Sequence, residues 1–170
     1  LHDPALTAGP TPASGKDDKP ARYVALAREL DALLSGEVDL VANAANAASA
    51  IFYALPAINW AGFYFLRGNE LVLGPFQGRP ACVRIALGAG VCGRAAVARR
   101  SLLVPDVAAF PGHIACDPTS RSELVVPLVR GNTLLGVLDL DSPVLGRFDE
   151  LDRRGCEMLA EALVRHLAHS

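Results

Sequence analysis

From residue 21 onward, apolar side chains recur at helical spacing. Tyr23, Leu26, Leu30, Leu33 and Leu34 fall on one stripe, which predicts a helix over 21–35 ended by Gly36. The alanine-rich stretch 37–54 places Val38, Val41, Ala45, Ala48 and Phe52 on a second helical face, with Pro56 just past its end. The pattern then shortens towards a period of two. INWAGFYFLRGNELVLGPF reads as a hairpin around Arg67-Gly68-Asn69, and CVRIAL as a short strand. GVCGRAAVARR reads as a glycine-opened helix and SLLVPDV as another short strand. ELVVPLVRGNTLLGVLDLDS forms a second hairpin around Gly131-Asn132. A last helix runs from Asp149 to about His169, with Asp149 and Glu150 near its positive end. Helices at both ends of a mainly antiparallel meander predict an α+β fold with the helices on one sheet face.

Composition narrows this picture. Residues 1–20, LHDPALTAGPTPASGKDDKP, read as a flexible arm, which leaves 21–170 as a single domain. The chain is 51% hydrophobic, enough for a core without disulfide staples. Apolar runs fall well short of a membrane span, and no leader pattern opens the sequence, so a non-secreted protein that does not enter membranes is expected. Net charge is −2 with the signs interspersed, and no basic patch carries aromatics, which argues against nucleic acid as a partner. Without a leader, the four cysteines Cys82, Cys92, Cys116 and Cys156 suggest reactive thiols or a metal in preference to a disulfide scaffold.

Three groups of residues could carry chemistry. In LDLDS, Asp139 and Asp141 are two apart on a strand and share a face, opposite Leu138 and Leu140. If the second hairpin forms, Glu123 joins them, and three clustered acids call for a cation, either a metal or a ligand ammonium. Solvated acids at a strand end are the plainer alternative. In NWAGFYF, Trp60, Gly62 and Tyr64 share one face and Ala61, Phe63 and Phe65 the other. The Trp–Tyr pair is either ordinary packing or the wall of a pocket suited to cationic or sulfur-bearing groups. Cys82, Cys92 and Cys116 lie in or beside loops, and the helix start at Cys92 favours a thiolate. His113 and Cys116 are close enough in sequence to suggest metal ligands, but Cys-x-x-Cys spacing is lacking, so no metal is expected. Cys156 shares a helical stripe with Leu159, Ala160, Leu163 and Leu167 and reads as a buried, inert thiol. Together these features suggest thiol redox chemistry on a small cationic substrate, which the residues alone do not name.

NWAGFYF, ELVLGPFQGRPAC, GAGVCG, VPDVAAFPGHIACD, SRSELVVPL and GVLDLDSPVLGRFDELD resemble the free methionine-(R)-sulfoxide reductases, enzymes built on a GAF domain, over about Tyr23–Leu163. The resemblance implies a GAF fold with N- and C-terminal helices on one sheet face and the ligand site on the other. It also implies a cytoplasmic homodimer that reduces free L-methionine (R)-sulfoxide without cofactor or metal. It makes Cys116 the nucleophile and Cys82 and Cys92 the other redox thiols. Trp60, Tyr64, Glu123, Asp139 and Asp141 become the substrate pocket. On this reading Glu123 is the proton donor, the two Asp clamp the ammonium, and backbone N–H groups around Ile114, Ala115 and Asp117 hold the carboxylate. Cys82 is preferred over Cys92 as resolving thiol, because a strand-edge loop swings more easily than a helix start. A thioredoxin-type dithiol then reopens the disulfide. The competing expectations are a non-catalytic GAF sensor, which a lone domain without an output region disfavours, and a peroxide-type thiol sensor.

Overall fold

A computed structural model describes residues 18–114 and 116–167. Most of the expected N-terminal arm, Ala115 and the end of the expected last helix lie outside the described residues. Helix α1 (Lys19–Leu34) starts where the Asp18 carboxylate accepts from the Ala21 N–H, with Pro20 in its first turn. Helix α2 spans Leu40–Ala54 and is capped by Asp39, whose Oδ1 accepts from Ala42 N at 2.8 Å. A meander follows: β1 (Trp60–Arg67), β2 (Glu70–Gly78), β3 (Arg84–Ala86), α3 (Gly90–Ala98), β4 (Leu102–Val104), a short 3-10 turn at Val107–Ala109, β5 (Ser122–Arg130) and β6 (Thr133–Ser142). Helix α4 (Glu150–Arg165) closes the fold, with Asp149 and Asp152 forming a capping box at its start.

The six strands form one sheet in the order β3-β2-β1-β6-β5-β4, and every ladder is antiparallel. Alternation along the strands sorts the side chains into two cores. Ala61, Phe63, Phe65, Leu124, Leu138 and Leu140 face α2 and α4, and α1 packs across those two helices. Trp60, Tyr64, Val125 and Val137 face the other way, towards α3. The terminal helices therefore cover one sheet face and leave the other to α3 and the loops, as expected for an α+β GAF architecture.

Two features hold the helical layer. Gly155 lets α4 approach α1 closely, since a Cβ there would lie 2.1 Å from the Tyr23 ring. The fully buried Asp152 carboxylate accepts from the Tyr23 hydroxyl at 2.8 Å and pairs with Lys19 and Arg147. Its charge is thus paired and hydrogen-bonded, the condition under which burial is tolerated.

The expected face of α2 is right only at Ala48, which is buried, and Phe52, which packs against the core. Val38, Val41 and Ala45 are exposed, while Asn43, Ala44, Ala47, Ala48 and Ile51 point inward. Residues 37–39 form a capping turn in which the Glu37 carboxylate accepts from the Val38 and Asp39 N–H groups. Asn43 is buried because its amide donates to the carbonyls of Glu37 and His166, which an apolar stripe count does not register.

Candidate active site

The site is built where β1, β5 and β6 run side by side. In the β5–β6 ladder Glu123 pairs with Asp141 and Val125 with Asp139, so Glu123 sits diagonally from Asp139 on the same face. In the β1–β6 ladder Trp60 lies opposite Asp141 and Gly62 opposite Asp139. Gly62 is required there for space: a Cβ would come within 2.3 Å of the Phe76 Cβ and 2.6 Å of the Trp60 ring. Three acids from two strands are thereby roofed by an aromatic residue from a third. They line one cavity with Trp60, Tyr64, Cys92, His113, Ile114 and Cys116.

The aromatic wall is fixed by hydrogen bonds at its polar ends. Trp60 Nε1 donates to the Arg79 carbonyl at 3.1 Å, and the Tyr64 hydroxyl donates to the Cys82 carbonyl at 2.9 Å. The two rings stack at 6.0 Å between centroids with 25° between planes. Both polar tips are occupied by backbone, so the rings offer the cavity their apolar bodies.

Burial pushes the carboxyl groups of Glu123, Asp139 and Asp141 well above the usual carboxylate range, and each is raised further by an acidic neighbour. For Glu123 the neighbour is Asp141, for Asp139 it is Glu123, and for Asp141 they are Asp139 and Asp117. Asp139 Oδ1 is buried and has no hydrogen-bond partner among the described residues. The cluster is short of positive charge and of donors.

Cys116 is bonded to Cys82 through a disulfide with Cα atoms 5.6 Å apart, at the rim of this cavity. Cys92 and Cys156 are free and buried. Burial raises the Cys156 thiol to about 12, in keeping with an inert core thiol. Cys92 departs from expectation. It lies in the first turn of α3, where the helix favours a thiolate. Burial, reinforced by Asp139 and Glu123, nevertheless pushes its pKa well above the ordinary value. Its Sγ donates to Glu123 Oε1 at 3.9 Å. Desolvation beside two acids outweighs a helix-end effect of at most about 2 kcal/mol.

The loop carrying Cys116 is held in ways the sequence did not disclose. Asn59 Nδ2 lies within hydrogen-bonding distance of Asp117 Oδ2, Thr119 Oγ1 and Ser120 Oγ at 3.1–3.2 Å, while its backbone N–H donates to the Asp141 carbonyl. Asp117 also accepts from the Thr119 N–H and hydroxyl, and these bonds lower its pKa. Asn59 therefore ties the loop that carries Cys116 to the acid-bearing strand. The available signal was a polar residue immediately before Trp60. His113 does not pair with Cys116 as a metal ligand: its Nε2 lies 3.5 Å from Glu123 Oε2. The Cys116 N–H, expected to help hold a carboxylate, donates to the Ile114 carbonyl in a local turn. Ile114 lines the cavity and packs against Gly90. As to metals, Cys92, Glu123 and Asp139 present donor atoms that all lie within 4.8 Å of one another.

This arrangement has close counterparts. Residues 29–170 match the GAF domain family. Protein YtsP of Bacillus subtilis is 50% identical over 153 residues, spanning 89% of this chain and 94% of its own. Free methionine-R-sulfoxide reductase of Escherichia coli is 49% identical over 146 residues, covering 86% and 88% of the two chains. Among solved structures, the free methionine-R-sulfoxide reductase of Neisseria meningitidis in complex with its substrate superposes with a TM-score of 0.85 at 43% identity, over 89% of this chain and 92% of that one. A cavity walled by buried acids and aromatics, with a cysteine pair at its rim, is thus found in a chain that belongs to the GAF domain family and, within it, to the free methionine-R-sulfoxide reductases.

Proposed function

We propose that the chain reduces free L-methionine (R)-sulfoxide to L-methionine with Cys116 as nucleophile and Cys82 as resolving thiol. The observation that carries this reading is the Cys82–Cys116 disulfide at the mouth of a cavity floored by Glu123, Asp139 and Asp141. The Cys116 thiolate attacks the sulfoxide sulfur. The oxygen leaves that sulfur only once protonated, and Glu123 supplies the proton. The released oxygen, as water, then attacks the Cys116 sulfur, the bond to the substrate sulfur breaks, methionine departs and Cys116 is left as a sulfenic acid. In net terms one thiol and one sulfoxide become one sulfenic acid and one thioether, and the proton lost by the Cys116 thiol balances the one Glu123 gives. The Cys82 thiol then attacks the sulfenic sulfur, water leaves, and the disulfide forms.

Asp139 and Asp141 clamp the substrate ammonium, which provides the positive charge the cluster lacks. Trp60 and Tyr64 pack the methyl and thioether end. Backbone N–H groups around Ile114, Ala115 and Asp117 take the carboxylate once the loop opens, because in the disulfide form the Cys116 N–H is engaged. Cys92 is a poor resolver on this reading, being buried, protonated and turned towards the acids. The scheme uses no cofactor.

Recycling needs two electrons from a dithiol of the thioredoxin type, which places the protein in a reducing compartment, the cytoplasm. A homodimer belongs to the same reading. It is supported by α2, a helix without a charged residue whose outer side exposes Val41 and Tyr53. The deciding experiment is a dithiol-coupled assay of methionine release from the free (R)-sulfoxide. Repeated turnover that stops in Cys116→Ser is expected. Tight binding without turnover would instead make the protein a small-ligand sensor.

A further inference from the structure

Cys92 is a buried thiol that the reductase scheme leaves without a redox task, and it faces Glu123 and Asp139. We infer that Cys92, Glu123 and Asp139 form a binding site for a thiophilic divalent cation of the zinc or cadmium class. The three donors come from three separate elements, α3, β5 and β6, which explains why no ligand spacing announces them in the sequence. All three residues are buried, and their donor atoms lie within 4.8 Å of one another. Zinc with bonds of about 2.0–2.3 Å spaces tetrahedral ligands roughly 3–4 Å apart. Rotamer-scale adjustment is enough to close these donors on an ion.

Independent of that clustering, Asp139 Oδ1 is an acceptor without a partner on a residue only 7% exposed. The site thus has one vacant coordinating atom on a buried side chain. The three residues open onto the cavity that Trp60, Tyr64 and His113 also line, which leaves a side from which an ion and its water can enter.

The donor set selects the class of ion. A thiolate with two carboxylates suits zinc or cadmium, whereas magnesium and calcium take oxygen ligands alone. Three protein ligands leave a fourth position on the cavity side for water, the open pattern of non-structural zinc sites. His113, 3.5 Å from Glu123 Oε2, stands behind one ligand as an orienting group. Binding displaces the protons these groups carry and replaces them with a dication, offsetting the repulsion of the cluster. An ion held here occupies the acids that the substrate ammonium needs, so a thiophilic cation blocks the pocket reversibly.

The test uses cadmium ion alone on the oxidised full-length protein in a non-chelating buffer. With Cys82 and Cys116 bonded, Cys92 and Cys156 are the remaining thiols. Any thiolate-to-cadmium charge-transfer band must come from one of them. The expected result is a saturable band at one equivalent with proton release. It disappears in Cys92→Ser, persists in Cys156→Ser, and needs at least tenfold more cadmium in Asp139→Asn. Absence of a band in the oxidised wild type overturns the inference. So does a band that survives Cys92→Ser, or one whose titration is unchanged in Asp139→Asn. If Cys92→Ser does not fold, the Asp139→Asn and Cys156→Ser titrations still decide. No turnover is involved, so the outcome is separate from that of the sulfoxide assay.

Discussion

The Tyr64 hydroxyl donates to the carbonyl oxygen of Cys82 at 2.9 Å, so the aromatic wall of the pocket and the backbone of a disulfide cysteine are one mechanical unit. Tyr64→Phe keeps the ring and removes the tether. A neutral hydrogen bond of this kind contributes about 0.5–1.5 kcal/mol. Disulfide formation after the first turnover is therefore expected to slow up to about tenfold, since 1.4 kcal/mol is a factor of ten, with KM for the free sulfoxide little changed. Stopped-flow measurement of disulfide formation beside steady-state KM checks this. A large rise in KM with normal resolution would place the hydroxyl's role on the substrate.

The two thiols are separable by single-turnover chemistry. Cys82→Ser is expected to release one equivalent of methionine, accumulate a sulfenic acid at Cys116 and recycle poorly with thioredoxin. Cys116→Ser is expected to release none while retaining the fold. Trapping with a sulfenic-acid reagent followed by mass spectrometry distinguishes the cases. A dominant Cys92–Cys116 bond with normal recycling in Cys82→Ser would transfer the resolving role to Cys92.

Asn59 holds the far end of the Cys116 loop through Asp117, Thr119 and Ser120. Asn59→Ala removes these contacts and leaves a charged Asp117 and two hydroxyls to solvent. A loss of about 1–3 kcal/mol in the ordering of the loop is expected, read as a fall in kcat/KM with only a small change in melting temperature. Full activity in that variant would show that the loop is held by other means.

Most of the site was legible because antiparallel register is local information. The Gly131-Asn132 turn fixes which residues of β5 and β6 face each other, and that alone gathers Glu123, Asp139 and Asp141. The alternation in NWAGFYF likewise separates Trp60 and Tyr64 from the helix-packed core. The misreadings share a physical cause: each depended on a group from a distant segment. The inward side of α2 follows from Asn43 reaching the His166 carbonyl, 123 positions away. The state of Cys92 follows from its burial, reinforced by acids on two strands, and not from its own helix end. Asn59 carries no sequence signal because its three side-chain partners lie some sixty residues on, in a loop of no periodicity.

Acid stability should report on the start of α4. Hydrogen bonds from Lys19 and from the first turn of the helix lower the Asp149 carboxyl from 3.8 to about 2. A pKa lowered by folding contributes stability that is fully present above the unfolded value and is lost as pH falls towards the folded one. The loss therefore falls between about pH 4 and pH 2. Asp149 is half exposed, so the effect is screened and modest. Asp149→Asn should lower stability at neutral pH and flatten the curve in that window, as followed by urea unfolding at a series of pH values. A parallel, merely displaced curve would assign the acid sensitivity to other carboxylates.

The acid cluster also predicts which substrates are refused. Glu123 and Asp139 are buried with the partly buried Asp141 beside them, and a free amino acid brings an ammonium that offsets their repulsion, whereas a peptide or acetyl amide brings none. N-acetyl-methionine (R)-sulfoxide removes the charge and adds little bulk, which makes it the discriminating probe. Its kcat/KM is expected to fall at least about a hundredfold, on the order of 3 kcal/mol, as when a site built for a charged partner is left without it. Asp141→Asn should weaken free-substrate binding and narrow the gap between the two compounds, because it removes part of the repulsion that only the ammonium relieves. The (S)-sulfoxide should fail for a geometric reason: with its methyl group against Trp60 and Tyr64, inversion at sulfur turns the oxygen away from Glu123. Steady-state kinetics on the three compounds provide the check. Equal rates on the acetylated and free (R)-sulfoxides would remove the ammonium clamp from Asp139 and Asp141 and leave their burial without a function.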